Sequence, residues 1–327
     1  MKAWRVNELG EPRDVLKLED VPELAAGAGQ VLVKVLAAPA NFPDVLLCRG
    51  EYQIKPPLPF TPGVELCGEV VAVGAGVTRA VVGDRVVGTS GLPDGSFAEY
   101  TVMDQDRVFP APTSLDDAEA AALTIGYQTA WFALHRRTQI VTGDVLLVHA
   151  AAGGVGSAAV QLGKAAGATV IGVVGGPEKA AYAKELGADL VIDRRSEDFV
   201  SIVKEFTGGH GADIVFDPVG GDAYNGSTKC IAFEGRIVVI GFAGGTIPQP
   251  ALNHALIKNY SIVGLHWGLY QSQNPAVIDE CHTELTRLAD AGLLRPLIGE
   301  RRALADVADG VGRLGDGSTV GRLVFQP

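Results

Sequence analysis

The chain has 327 residues, 47% hydrophobic and 20% charged, which is enough length for two domains and enough apolar material for their cores. Lys plus Arg total 27 and Asp plus Glu 38, a formal net charge of −11, which argues against a nucleic-acid or anionic-membrane surface because both need a basic patch. Cys48, Cys67, Cys230 and Cys281 include no C-x-x-C pair, so neither a zinc ribbon nor a redox dithiol is indicated; buried free thiols in a reducing cytoplasm are expected. The opening MKAWRVNELGEPRD turns polar too early for a signal peptide. The longest weakly charged stretch, residues 145–177, contains Gln161 and Lys164 and is broken by Gly, so no membrane span is expected.

Up to residue 122 the texture is strand-like. Residues 31–39, 68–77 and 83–90 are short Val-rich runs, and 96–109 reads as two strands joined by a polar turn, which suggests a small barrel or sandwich. The proline-rich 56–63 is a rigid loop. Residues 116–134 read as helix. A strand–helix rhythm follows, with strands at 145–150, 168–174, 188–193, 212–217, 236–242 and 260–265. Helix-like segments at 155–166, 177–186, 196–206, 223–233 and 252–259 follow the first five, and Pro177 suits a first helical turn. Near-continuous apolar strands alternating with helices mean a parallel sheet covered on both faces, and six strands match the doubly wound dinucleotide fold. Residues 274–292 form a helix opened by Asn274 and Pro275 and closed by Gly292, with Val277, Cys281, Leu285 and Leu288 on one stripe. The final strand, 321–327, needs a host sheet, and the N-terminal domain is the obvious one. The expected fold is therefore α/β: a β-rich domain from residues 1–122 and 268–327, with a doubly wound domain, 123–267, inserted.

HAAAGGVG (149–156) lies between the first strand of that rhythm and its first helix. Ala151, Gly153 and Gly156 give A-x-G-x-x-G, a variant of the dinucleotide fingerprint. Gly153 would let the backbone approach a pyrophosphate, Gly156 would let helix pack on strand, and the amides of Gly153, Gly154 and Val155 would take the anion. The competing reading is close helix–strand packing with no ligand. NAD binders place an acid at the end of the second strand. Here Val174 is followed by Gly175 and Gly176, and Glu178 falls after Pro177, where the helix dipole favours an acid anyway. Lys179 and Arg194 are close in sequence, so the charge pattern favours a 2′-phosphate and NADPH; ordinary solvated surface is the alternative for each cation.

HAAAGGVGSAAVQLGK, VVGGPEKAAYAKELGAD, FDPVGGD, NFPDVLLCRGEYQIKPPLPFTPGVELCGEVVAVG and TVGRLVF together resemble the zinc-free quinone oxidoreductases of the medium-chain dehydrogenase/reductase superfamily, over nearly the whole chain and in order. The resemblance implies a GroES-like catalytic domain built from both chain ends, a Rossmann domain between, a cofactor in the cleft, and homodimers or homotetramers. Zinc alcohol dehydrogenases of that superfamily carry G-H-E where this chain has PGVE (62–65), with Val64 in place of the ligand His; NFPD (41–44) offers no ligand Cys, and the Cys-rich lobe is missing, so no metal is expected.

Without zinc, catalysis rests on positioning and on donors to a developing oxyanion. By resemblance, Asn41, Asp44 and Tyr52 line the nicotinamide end. Tyr52 is a candidate donor to a quinone or enone oxygen, or a half-buried loop aromatic. Asn41 would orient ribose or substrate, or serve a turn, and Asp44 would fix the loop. Leu46 stands where some relatives have an aromatic. Thr129 would meet the cofactor near its carboxamide, or be an ordinary helix residue. Phe242 and Trp267 end the fifth and sixth strands, at the edge where such sheets bind ligands. Arg322 would reach the phosphates or be an edge-strand cation. His149 and His266 fit satisfied structural histidines better than catalysts. The expectation is a cytoplasmic, NADPH-dependent, zinc-free oxidoreductase passing hydride to a small electrophile, a quinone or related activated carbonyl compound. Rivals are C=C reduction of enals, enones or enoyl thioesters, a low-turnover NADPH-binding crystallin-like or RNA-binding protein, and a zinc alcohol dehydrogenase.

Overall fold

In the computed structural model, which describes all residues from Met1 to Pro327, the strands in chain order are β1 (Lys2–Val6), β2 (Leu16–Asp20), β3 (Gln30–Pro39), β4 (Leu66–Val73), β5 (Arg85–Gly88), β6 (Tyr100–Asp104) and β7 (Val108–Pro110). They continue as β8 (Val145–His149), β9 (Thr169–Val174), β10 (Leu190–Asp193), β11 (Ala212–Asp217), β12 (Ile231–Val239), β13 (Ser261–Gly264), β14 (Ile298–Ala303) and β15 (Arg322–Gln326). Two units divide the chain: Met1–Ile125 with His282–Pro327, and Gly126–Cys281. The borders expected from sequence were 122/123 and 267/268. The second border falls instead inside the helix Pro275–Asp290, whose hydrophobic stripe runs unbroken through it.

In the first unit the Val-rich runs pair in the order β14-β15-β3-β4-β5-β7, with β6 also on β3 and β1 paired to β2. The C-terminal strand does return to the N-terminal sheet: β15 lies antiparallel to β3, Val324 opposite Pro39 and Phe325 opposite Ala38. Phe325 then meets Phe97 edge to face at 5.4 Å, within a core that includes Val33, Phe60, Leu66 and Met103. This contact ties the last strand into the first unit by packing as well as by ladder bonds. The sheet's outer strand, β14, was not anticipated. Its IGERRA pattern alternates exposure along an edge and carries too few apolar residues to read as a strand.

The second unit holds a parallel sheet in the order β10-β9-β8-β11-β12-β13. Numbered from β8, that is the 3-2-1-4-5-6 order of doubly wound dinucleotide folds. Leu147, Ile171, Ile192, Val215 and Ile237 are fully buried at its centre. The helix Gly268–Gln273 was not expected, the one expected at 196–206 begins at Phe199, and two others differ more. The helix predicted for 116–134 breaks at Ala122 into Asp117–Ala121, Thr124–Trp131 and a π turn, Phe132–Arg137. The segment 223–233 is helical only as far as Cys230, because Ile231 already pairs with Ala212 in β12. That longer strand tolerates a kink in which Glu234 takes φ +58°, followed by Gly235. No helix is long and apolar enough to cross a membrane.

Candidate active site

In the second unit, β8 delivers the chain to the glycine-rich turn. Ala150 takes φ +51° and its carbonyl accepts the Gly153 N–H at 2.8 Å, closing the loop before the helix Gly154–Ala165 begins. A Cβ at Gly156 would collide with the Ala150 carbonyl oxygen, so Gly156 is required for the helix to start this close to the strand. At Gly153 a Cβ would lie 3.2 Å from the same oxygen, tight but not prohibitive, and its absence leaves the loop face bare. Gly153 N–H is thus already used, contrary to its expected role as a free donor. The first N–H groups of a helix have no intrahelical acceptor, so those of Gly154, Val155 and Gly156 are the ones left to hold an anion.

At the end of β9 the chain passes Gly175 and Gly176 into the helix Pro177–Glu185. Gly176 sits at φ +105°, and Asp193 at the end of β10 accepts its N–H at 2.8 Å and that of Arg195 at 3.0 Å. These bonds draw the Arg194–Arg195 pair over the two glycines. A Cβ on Gly175 would stand 3.4 Å from the Arg194 Nη2, and one on Gly176 2.9 Å from the Arg195 Nη1. Burial first, then Arg195 and Arg194, push the Lys179 ammonium below its ordinary range. Three cations therefore converge beside a side-chain-free turn, which fits a dianionic phosphate. Lys179, Arg194 and Gly175, singled out from sequence, lie close together at this turn. Arg195 was missed, and its signal was the doubled Arg directly after the third strand of the rhythm.

Farther along the same sheet, Asp217 Oδ1 accepts the Val219 and Gly220 N–H groups, each at 2.9 Å, shaping the turn after β11. Phe242, 38% exposed, follows β12, and half-buried Trp267 follows β13. Trp267 Nε1 donates to Gln128 Oε1 at 3.1 Å. Gln128 and Thr129 sit on the helix Thr124–Trp131; Thr129 is 8% exposed, and Gln128, unremarkable in sequence, is wholly buried. His149 is the satisfied core residue anticipated: Ser227 Oγ lies 2.8 Å from its Nε2 and donates onward to the Ala223 carbonyl, so the imidazole is the donor of that pair. Burial pushes it down to about 4, leaving it neutral.

The first unit holds a separate polar cluster. NFPD does not form a loop: Asn41 is extended, Pro43 and Asp44 enter the first turn of the helix Phe42–Arg49, and Gly50 at φ +71° ends it. Asp44 is buried, with Oδ2 accepting the Asn41 N–H at 2.8 Å and Oδ1 the Gly63 N–H at 3.0 Å. Burial, and to a lesser degree Glu65, push its carboxyl up to about 7 against those bonds and the nearby Arg322. Glu65 is also buried. Its Oε1 accepts Asn41 Nδ2 at 2.9 Å and Arg322 Nη2, and its Oε2 accepts the Ile125 N–H at 2.7 Å. Arg322 Nη2 further donates to Asn41 Oδ1 at 2.9 Å.

This overturns both expected roles for Arg322. At 5% exposure its guanidinium is an internal counter-ion, and β15 lies between β14 and β3 and is not an edge. Asn41 likewise spends its side-chain amide inside the cluster. Tyr52 differs. It packs half-buried against the core, its hydroxyl bonds no protein group, and burial followed by Asp44 raises its pKa, so it stays a protonated donor at neutral pH. No group of three or more His, Cys, Asp or Glu side chains could hold a metal ion, and Val64 lies partly buried against the same core.

A β-rich unit closed by both chain ends and a doubly wound unit with a bare-amide turn define an oxidoreductase of the medium-chain dehydrogenase/reductase type. Two family models match: the alcohol dehydrogenase GroES-like domain over residues 27–113, and the zinc-binding dehydrogenase model over residues 154–283. A quinone oxidoreductase-like protein 2 homolog of Nematostella vectensis is 43% identical over 280 residues, 85% of this chain and 76% of its own length. Escherichia coli quinone oxidoreductase, solved in complex with NADPH, is 30% identical with a TM-score of 0.92, covering 100% of both chains. The CurK enoyl reductase is 27% identical with a TM-score of 0.89, covering 99% of this chain and 98% of its own. The chain belongs to the quinone oxidoreductase family of the medium-chain dehydrogenases/reductases.

Proposed function

We propose that this protein is a zinc-independent, NADPH-dependent reductase that passes hydride to a quinone or a related activated carbonyl compound. The observation that carries the reading is the convergence of Lys179, Arg194 and Arg195 on the Gly175–Gly176 turn, on the same sheet edge as the bare amides of Gly154, Val155 and Gly156. A pyrophosphate fits the amides and a 2′-phosphate fits the cations. Bound NADPH supplies the hydride. The NADPH complex of the E. coli relative supports the same cofactor here.

The chain's own residues supply the rest. Quinone reduction to hydroquinone takes up a hydride and a proton, and negative charge develops on the acceptor oxygen. Tyr52, protonated and with its hydroxyl open, is the donor we assign to that oxygen. Asp44, which accepts the Gly63 N–H, ties the end of the segment that carries Tyr52 to the start of the helix Phe42–Arg49. Zinc independence is supported by Val64 in PGVE and by the lack of any three-ligand cluster. Assembly as a homodimer or homotetramer is part of the proposal, and the open edges β10 and β13 of the parallel sheet are the strands available to pair with a second copy. Four free buried thiols support a cytoplasmic setting.

The likeness to an enoyl reductase supports a second reading, reduction of an activated C=C bond. A panel of quinones, enones and enoyl thioesters, followed by NADPH oxidation, decides between them. Turnover confined to the alkenes selects the second reading. Tight NADPH binding with turnover on neither class would leave only a nucleotide-binding protein.

A further inference from the structure

Gln128 uses only one end of its carboxamide. It is 0% exposed, on the helix Thr124–Trp131 within the second unit. Its Oε1 accepts the Trp267 indole N–H at 3.1 Å. An indole N–H can only donate, so the oxygen must be the end that faces Trp267, and the side-chain orientation is fixed. Its Nε2 then has no acceptor anywhere in the protein. A buried donor pair left unsatisfied is costly, and Leu or Met at this position would avoid the cost. Burial alone does not produce the orphan, since Gln161 in the same unit donates its Nε2 to the Tyr127 hydroxyl at 2.7 Å. An unmet donor of this kind calls for an acceptor that the protein does not itself provide, a ligand group or a bound water.

The topology says which acceptor. In a doubly wound sheet each half takes one mononucleotide half of the ligand. The cation cluster lies at the ends of β9 and β10, so the half formed by β11, β12 and β13 belongs to the nicotinamide. Trp267 follows the last of these strands directly. The phosphates already have backbone amides and cations, and a neutral N–H pair suits a neutral carbonyl. We propose that Gln128 Nε2 donates a hydrogen bond to the carboxamide oxygen of the nicotinamide ring, with Trp267 as the positioning residue that holds it there. This rests on the NADPH reading above and adds to it the residue that recognises the reactive ring.

The test separates the two ideas by using ligands that share only one half. The full chain and its Gln128→Leu variant are titrated by calorimetry with NADPH, with the thionicotinamide analogue of NADPH, and with adenosine 2′,5′-bisphosphate, which lacks the nicotinamide half. Gln128→Leu is expected to weaken NADPH roughly five- to tenfold, the worth of one net hydrogen bond, and to leave the bisphosphate within about twofold. Sulfur is a poor acceptor, so the thionicotinamide penalty should be present in the wild type and absent from the variant. Trp267→Phe, which frees Gln128 to turn, should weaken NADPH without affecting the bisphosphate. Unchanged NADPH affinity in a folded Gln128→Leu, or a thionicotinamide penalty that persists in it, overturns the proposal. So does a wild type that binds both dinucleotides equally, which needs no variant to fold. Binding of neither NADPH nor the bisphosphate to the wild type would instead refute the nucleotide reading itself.

Discussion

Arg322, the first residue of the last strand, donates through Nη2 to Glu65 Oε1, a partner 257 residues earlier in the chain. The pair is almost wholly buried, with side-chain exposures of 6% and 0%. An ion pair this deep is weak evidence for stability, because desolvation offsets most of the attraction, but removing one member strands the other charge. Arg322→Met should therefore destabilise the first unit by roughly 3–5 kcal/mol. The double variant Arg322→Met with Glu65→Gln should recover much of that loss. Denaturant unfolding of the four proteins in the cycle measures it, and strictly additive losses would refute a coupled pair.

Asp44 makes stability fall as pH rises. Its folded carboxyl is pushed up to about 7 by burial, while an unfolded Asp titrates at about 3.9. Between those values the unfolded chain has released a proton that the folded chain still holds. Raising the pH therefore favours unfolding, by roughly 1.4 kcal/mol for each pH unit crossed, and the effect levels off above the folded value. Asp44→Asn loses one of the two accepted N–H bonds but cannot ionise. Its unfolding free energy should lack the downward slope of the wild type between about pH 4 and 7. Parallel slopes for the two proteins would show that Asp44 is ionised in the fold across that window.

The cation cluster predicts a selective loss. Arg195→Ala should weaken NADPH by about 10- to 100-fold, in the range of charge-assisted hydrogen bonds, and Lys179→Ala similarly. NADH affinity should hardly change, since it has no 2′-phosphate to lose. Fluorescence titration with both nucleotides measures the ratio. Equal losses for the two would place Arg195 and Lys179 on some other part of the ligand, or on none.

The second unit was largely legible because buried parallel strands are nearly all apolar and bounded by Gly, Pro or Asp, so β8, β9 and β11 announce themselves. Ile231 to Phe233 did not, because an apolar triplet continuing a helix is identical in sequence to one opening a strand, and only pairing with Ala212 decides. The first-unit cluster was half legible. Asn41 and Asp44 were singled out, but the partners that consume the Asn41 amide come from β15 and from the segment before β4, and local sequence carries no trace of such distant pairing. Arg195 and Gln128 were not singled out from sequence: a second Arg after a strand and a Gln within a helix carry no local signal of a partner. Each became visible only through what it approaches or fails to approach in three dimensions.

Gly153 and Gly156 should separate folding from binding. A Cβ at residue 156 runs into the Ala150 carbonyl, part of a backbone turn that cannot give way like a flexible side chain. Gly156→Ala should therefore displace the helix start and cost at least about 2 kcal/mol, as backbone overpacking does. At residue 153 the nearest atom to a Cβ is 3.2 Å away, and the backbone is extended at φ −88°, a conformation open to alanine. Gly153→Ala presses on the same oxygen far less closely, so it should cost much less stability than Gly156→Ala, yet it adds a methyl to the face where a diphosphate would approach. The expected outcome is a melting temperature well above that of Gly156→Ala, with NADPH affinity lowered about tenfold or more. Native affinity in Gly153→Ala would move the ligand away from this turn and leave its glycines with a packing role alone.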